Sequence, residues 1–361
     1  MDARKVLEMG GGTVLISLPK AWARRNGIVK GGSVVVEEVS PSRLMVGPMR
    51  AEQEAKTAVV PYPRESLSHV VNDVTGAYLL GNDTIKIDGS EAISREDRER
   101  VKAVISRLVG LEIMDEDSRS MTLQFLPQPS TLNPERIVRR MEGLTRGMLR
   151  DARDALSSED GRMMALVAER DDEVDRLYFL LVRAIRTATI DPDVARGYDL
   201  TPVECLDYRV LASFIEGLGD TITEFAGRAS EDLPRAEAAR EMARLLGTLE
   251  EMEATSLGVF LGRKTGQSRS GYLRVDAMHE QVGARLSRLA QEGGISSRAV
   301  VDLLSMLERI SKALVDISDL SLPSYQFGYG SRSPPGGEGG RTEGRPSRAR
   351  GATRPLRGRE G

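Results

Sequence analysis

Cysteine is almost missing from this chain. Cys205 stands alone among 361 residues, which excludes an intrachain disulfide and any Cys-rich zinc site. Histidine is nearly as scarce. His69 and His279 cannot build a His-rich metal centre, and a redox di-metal helical bundle needs Glu three residues before each His. Ser66 and Asp276 hold those places instead. Cys205 has no His near it in sequence, so no nucleophile–base pair is legible and the chain reads as a non-enzyme. Aromatic residues make up only 4%, which argues against base or ring stacking as the main binding device. No apolar run approaches the ~20 residues of a membrane span, and the first residues, MDARKVLEMGGG, lack the apolar core of a signal peptide. A cytoplasmic protein is the expectation.

Charge is plentiful but unevenly placed. The net charge is −3, yet residues 1–50 hold eight Lys/Arg against four Asp/Glu, and residues 331–361 hold eight Arg against three Glu. The stretch between is therefore strongly acidic. Basic ends on an acidic body point to anionic partners at the ends and cationic ones in the middle.

Residues 1–50 alternate in the manner of short strands: Arg4 to Glu8 and Thr13 to Ser17, separated by Gly10-Gly11-Gly12, then Val34 to Glu37 and Arg43 to Val46. Pro19 opens a short helix over Lys20 to Asn26, which Gly27 ends. A strand follows the three glycines, so they are not the phosphate loop of a nucleotide site, which leads into a helix. Four short strands bury little surface alone, so intertwined dimerisation is expected. The run GGGTVLISLPKAWARRNGIVKGGSVVVEEV, with its Ser17-Leu18-Pro19-Lys20 step and its Gly27…Lys30-Gly31 turn, resembles the AbrB/SpoVT-type swapped-hairpin DNA-binding domain over residues 3–48. Gly32 stands where that family usually has Asp. The resemblance implies DNA contact by basic residues, here Arg4, Lys5, Lys20, Arg24, Arg25 and Arg43, each able to neutralise phosphates.

Residues 51–129 read as strand, helix, strand, helix and a terminal hairpin, a small α+β connector domain. Its elements are Thr57 to Val60, Ser66 to Leu80, Asp83 to Ile87, a helix capped by Ser94 and running to Val109, and strands around Asp115–Ser120. His69 has no acidic or Cys partner at ligand spacing and reads as structural. No chemistry is legible in this segment.

Residues 130–322 form an all-α body of six helices, near 134–157, 160–190, 201–229, 235–262, 271–292 and 296–320. They divide into two three-helix bundles, 130–230 and 231–322. The third and sixth helices repeat at an offset of 92 residues: Leu211, Phe214, Ile215, Leu218, Ile222 and Phe225 map onto Leu303, Met306, Leu307, Ile310, Leu314 and Ile317. In the first repeat Asp171 and Asp175 share one face of the second helix, and Glu216 and Asp220 share one face of the third. Like charges at that spacing repel unless a cation or basic group sits between them. In the second repeat Asp276, Glu280 and Glu308 correspond, but Lys312 replaces the fourth acid.

Two three-helix repeats with such pairs, and Ile215-Glu216-Gly217-Leu218-Gly219-Asp220 on the third helix, resemble the PhoU family of phosphate-uptake regulators. An AbrB-like head on this body is similar to the domain order of archaeal PhoU-type proteins. The resemblance implies a metal site at Asp171, Asp175, Glu216 and Asp220, taking a divalent or ferric ion (Mg, Mn, Fe or Zn), and a second site degraded by Lys312. Carboxylate-only donors favour the harder of these ions.

Residues 323–361 are rich in Gly, Ser, Pro and Arg, the composition of a disordered basic tail. The whole reads as a multidomain regulator of phosphate homeostasis that binds DNA as a homodimer or larger homo-oligomer. Its body would sense transporter or metal/phosphate status. The alternative is a protein that dimerises through its head without binding DNA and docks on the cytoplasmic subunit of a phosphate ABC transporter.

Overall fold

The computed structural model describes residues 3–40, 42–49, 55–158, 161–232, 234–263, 268–292 and 298–322. The basic tail 323–361 and the break at Gly293-Gly294 fall outside these residues. The chain divides into two compact units: residues 1–102 with 110–126, and residues 103–109 with 127–361. No helix among the described residues is long and apolar enough to cross a membrane.

The first unit begins with two antiparallel hairpins flanking a short helix: β1 (Val6–Met9), β2 (Thr13–Ile16), α1 (Lys20–Arg25), β3 (Val34–Ser40) and β4 (Arg43–Pro48). Gly11 and Gly12 have φ of 100° and 83°, which glycine adopts without steric cost, and they close the first hairpin. Successive residues of that hairpin, Val6 and Leu7, Val14 and Leu15, are all exposed. Neighbours along a strand point to opposite faces, so both faces of the hairpin stand uncovered.

The same unit continues as a four-stranded sheet in the order β5 (Thr57–Tyr62), β6 (Thr84–Gly89), β8 (Ser120–Phe125), β7 (Leu111–Glu116), with β5 parallel to β6 and the other pairs antiparallel. Ile85 opposite Leu123 and Ile87 opposite Met121 put four buried apolar residues on one face. The helix α2 (Leu67–Leu79) packs on β5 and β6, and its Tyr78 meets Phe125 edge to face at 5.9 Å. The next helix, α3 (Arg95–Ile105), is capped as its sequence anticipates, Ser94 Oγ accepting from the Asp97 amide at 3.0 Å. His69 is exposed, and its Nδ1 lies 3.9 Å from Glu65, so an acidic neighbour one helical turn away stands where none was expected.

The second unit is helical: α4 (Pro134–Ser158), α5 (Gly161–Ile190), α6 (Pro192–Gly197), α7 (Pro202–Glu231), α8 (Ala236–Leu261), α9 (Ser268–Glu292) and α10 (Arg298–Asp319). Asn133 caps α4 by accepting from the Arg136 amide. The short α6 is an addition to the six helices expected. Asp191-Pro192 reads as a break, but Asp191 accepts from the Asp193 amide and Pro192 takes the first helical position, so the same dipeptide starts a helix. A reciprocal Thr201–Glu204 capping box opens α7.

The two repeats share one core, because α4 packs on α8 and α7 on α10 as well as on partners within their own repeats. Eleven of the twelve positions paired by the 92-residue repeat are buried, Phe214 being half-buried. Among the polar groups buried in this core are Arg263 and Glu253. Arg263 is buried, with its guanidinium 4.0 Å above the Phe260 ring and 5.2 Å from Tyr208, and Nη2 is 3.7 Å from Glu204. Glu253 on α8 is completely buried and accepts a hydrogen bond from Thr145 Oγ1 on α4, while its Oε2 has no partner among the described residues.

Burial pushes the Glu253 carboxyl up to about 8 from its ordinary 4.5; Thr145 and Arg146 oppose the shift, and Glu142 and Glu250 add to it. The folded protein therefore holds this proton more tightly than the unfolded chain. The group's effect on stability is most favourable in acid and is lost as pH rises between about 4.5 and 8. The loss amounts to roughly 1.4 kcal/mol per pH unit within that window. Glu253→Gln should flatten this slope in urea melts and raise stability at pH 8.5 while changing little at pH 5. An unchanged slope would refute the buried-acid assignment.

Candidate metal centre

The second and third helices of the first repeat, α5 and α7, lie side by side. Their apolar stripes, Val174 and Leu177 on α5 and Leu211, Ile215, Leu218 and Ile222 on α7, are buried. One edge of each stripe carries the acids singled out by their spacing. Carboxylate oxygens of Asp175, Glu216 and Asp220 converge to within 4.8 Å of one another, the one such acidic group among the described residues.

Asp171 is not part of that converging trio. It stands one turn before Asp175, with its Oδ1 against α7 at Gly219. A side-chain carbon built on Gly219 would lie 2.8 Å from that oxygen, so the glycine makes the room Asp171 occupies. Asp171 Oδ1 is shielded from solvent and has no hydrogen-bond partner among the described residues.

The electrostatics are those of crowded negative charge. Burial, then Asp220 and Asp175, push the Asp171 carboxyl up to about 6, with the Thr223 hydroxyl opposing. Glu216 is raised by burial, Asp220, Asp175 and Asp171, against Arg209; Asp220 is raised by burial and Asp175. A hard cation bound among oxygen ligands would relieve this repulsion and supply a partner for the orphaned oxygen. Three converging carboxylates, a fourth alongside and no nitrogen or sulfur donor fit Mg, Mn or ferric iron, and suit Zn less well.

Two guanidinium groups stand close by. Arg209 donates to Ser213 Oγ at 2.6 Å and to the Tyr178 hydroxyl at 3.3 Å. Arg107, just beyond the end of α3, donates to Asp175 Oδ2. Sequence reasoning missed Arg107, because 68 residues separate it from its partner and no spacing rule reaches that far.

Among the described residues the second repeat builds no equivalent. Glu280, Glu308 and Lys312 are exposed, and Asp276 is half-buried. At the position matching Gly219 stands Ser311, fully buried, whose Oγ is 2.8 Å from His279 Nδ1. A side chain thus fills the place that glycine leaves open in the first repeat, and Lys312 brings a positive charge where Asp220 brings a negative one.

The basic residues expected to contact DNA are all exposed. Lys20 and Arg24 lie one turn apart on α1, with Arg25 next to them; Arg4 and Lys5 precede β1, and Arg43 begins β4 in the other hairpin.

Removing charge from the trio should stabilise the helices in the absence of cations. Glu216→Gln or Asp220→Asn is expected to raise the thermal midpoint of chelator-treated protein by a few degrees and to abolish the further rise on adding Mn²⁺. Scanning calorimetry with and without Mn²⁺ checks this. A variant that still responds to Mn²⁺ like the parent would place the site elsewhere.

Comparison with known proteins bears on the same helices. Residues 138–229 match the PhoU domain family, a span that begins within α4, includes α5 and α6, and ends within α7. It contains Asp171, Asp175, Glu216 and Asp220. No curated protein matches the chain. The match over residues 138–229 supports a PhoU-type protein and suggests involvement in phosphate homeostasis.

Proposed function

We propose that the protein is a dimeric regulator of phosphate uptake whose head contacts DNA and whose PhoU-type body reports cation or transporter status. The observation that carries this reading is the coincidence of the PhoU match with the acidic cluster: the matched span holds the residues whose carboxylates converge.

The exposed hairpins support the dimeric part. Val6 is 64% exposed and Leu7 63%, and they face opposite sides of β1. A hairpin with apolar residues on both faces needs a partner above and below. The proposed partner is a second copy, because interleaving with a like hairpin covers both faces at once, as in the swapped-hairpin domains that residues 3–48 resemble. Leu7→Glu with Leu15→Glu should convert the dimer to monomer in sedimentation velocity, leaving the helical circular dichroism intact. A species of unchanged mass would count against this mode of assembly.

Transcriptional action rests on the basic residues of α1. Replacing Lys20, Arg24 and Arg25 with Gln should weaken binding to genomic fragments. The log–log salt dependence should also become shallower, by about one unit of slope for each phosphate that is no longer neutralised. Retained binding with the same slope would remove α1 from the interface. If the parent itself shows no selective binding, the body's docking on a phosphate transporter becomes the function to pursue.

A further inference from the structure

Resting on the cation reading of the α5–α7 cluster, we propose that Arg107 is its built-in counter-ion, which an incoming divalent cation displaces. The segment 103–109 belongs to the helical unit, whereas the earlier turns of α3, up to Lys102, belong to the other. Turn hydrogen bonds hold its backbone, from the Arg107 amide to the Val104 carbonyl at 3.0 Å and from the Leu108 amide to the Ile105 carbonyl at 2.9 Å. Leu108, in the same turn, is buried. The guanidinium that this turn presents reaches Asp175 Oδ2.

The two cations compete for the same oxygens. A guanidinium satisfies a carboxylate along one planar edge and leaves the remaining acids of the trio to repel each other. A divalent ion carries twice the charge at shorter range and draws several carboxylates around itself at once. Asp175 cannot serve both fully. Arg209 does not play this part, because Ser213 and Tyr178 already engage its guanidinium. The Arg107 side chain is 52% exposed, so it can leave for water at little cost, whereas that of Asp175 is only 22% exposed and remains with the cluster. Filling the site therefore releases the tie between α5 and the segment that continues α3.

The test uses the full chain, stripped with chelator, and Mn²⁺ alone as probe. Isothermal titration should show Arg107→Ala binding Mn²⁺ roughly two- to fivefold more tightly than the parent, the range expected from losing a partly exposed ion pair. Arg107→Lys, which keeps a competing positive charge, should stay near the parent. In the parent, Mn²⁺ should also speed amide hydrogen exchange in residues 103–109. Equal Mn²⁺ affinity in parent and Arg107→Ala, with unchanged exchange, would overturn displacement while leaving the cation site standing. Absence of Mn²⁺ uptake by either protein would sink the cation site and the displacement together.

Discussion

The helical unit depends on α5 and α7 pairing despite the acids they carry on adjoining edges. Val174, Leu177, Leu211, Ile215, Leu218 and Ile222 bury their side chains along or beside this seam. Each such burial contributes about 1.5–3 kcal/mol. Repulsion among half-exposed carboxylates costs on the order of 1 kcal/mol or less per pair. The apolar contribution wins, so the helices pair with the acids held together, and the stored repulsion becomes an attraction for any cation of suitable size. Gly219 is the residue that lets Asp171 take part, because any side chain there would meet its carboxylate.

The two repeats show what that constraint requires. They share a core pattern, with Leu218 and Ile310 equivalent and both fully buried. They differ at the edge of the stripe, where Ser311 and His279 make a neutral contact and Lys312 faces solvent. The second repeat keeps the packing pattern without the charge cluster. The packing of the second repeat does not depend on such acids, since its matching core positions are buried without them.

Much of this was legible from residue spacing. Ser94 and Asn133 announced helix starts that the structure places where expected, and the 92-residue repeat picked out core positions of which only Phe214 is less than fully buried. The short α6 was missed because Asp191-Pro192 ends one helix and starts another, and sequence reasoning chose only the first role. Glu253 could have been found: it follows Leu249 by four and precedes Leu257 by four, in the buried phase of α8. Of the four acids on α5 and α7, periodicity gave the right faces but not the depth. Asp175, Glu216 and Asp220 converge while Asp171 turns against Gly219, a distinction set by how two helices approach each other. Arg107 was beyond reach for the same reason, since its partner is fixed by tertiary packing across 68 residues.

The head and the helical unit raise separate questions, one of assembly and one of ligand. Exposed apolar hairpins ask for a second chain, and clustered carboxylates ask for a cation. The second question is the more decisive, because the proposed cation site and the role of Arg107 both turn on it. The most direct measurement is anomalous X-ray diffraction from crystals grown with Mn²⁺. The account predicts an anomalous peak between α5 and α7, ligated by Asp175, Glu216 and Asp220, with the Arg107 guanidinium moved off Asp175. Crystals with Mn²⁺ peaks elsewhere and none at this cluster would contradict it.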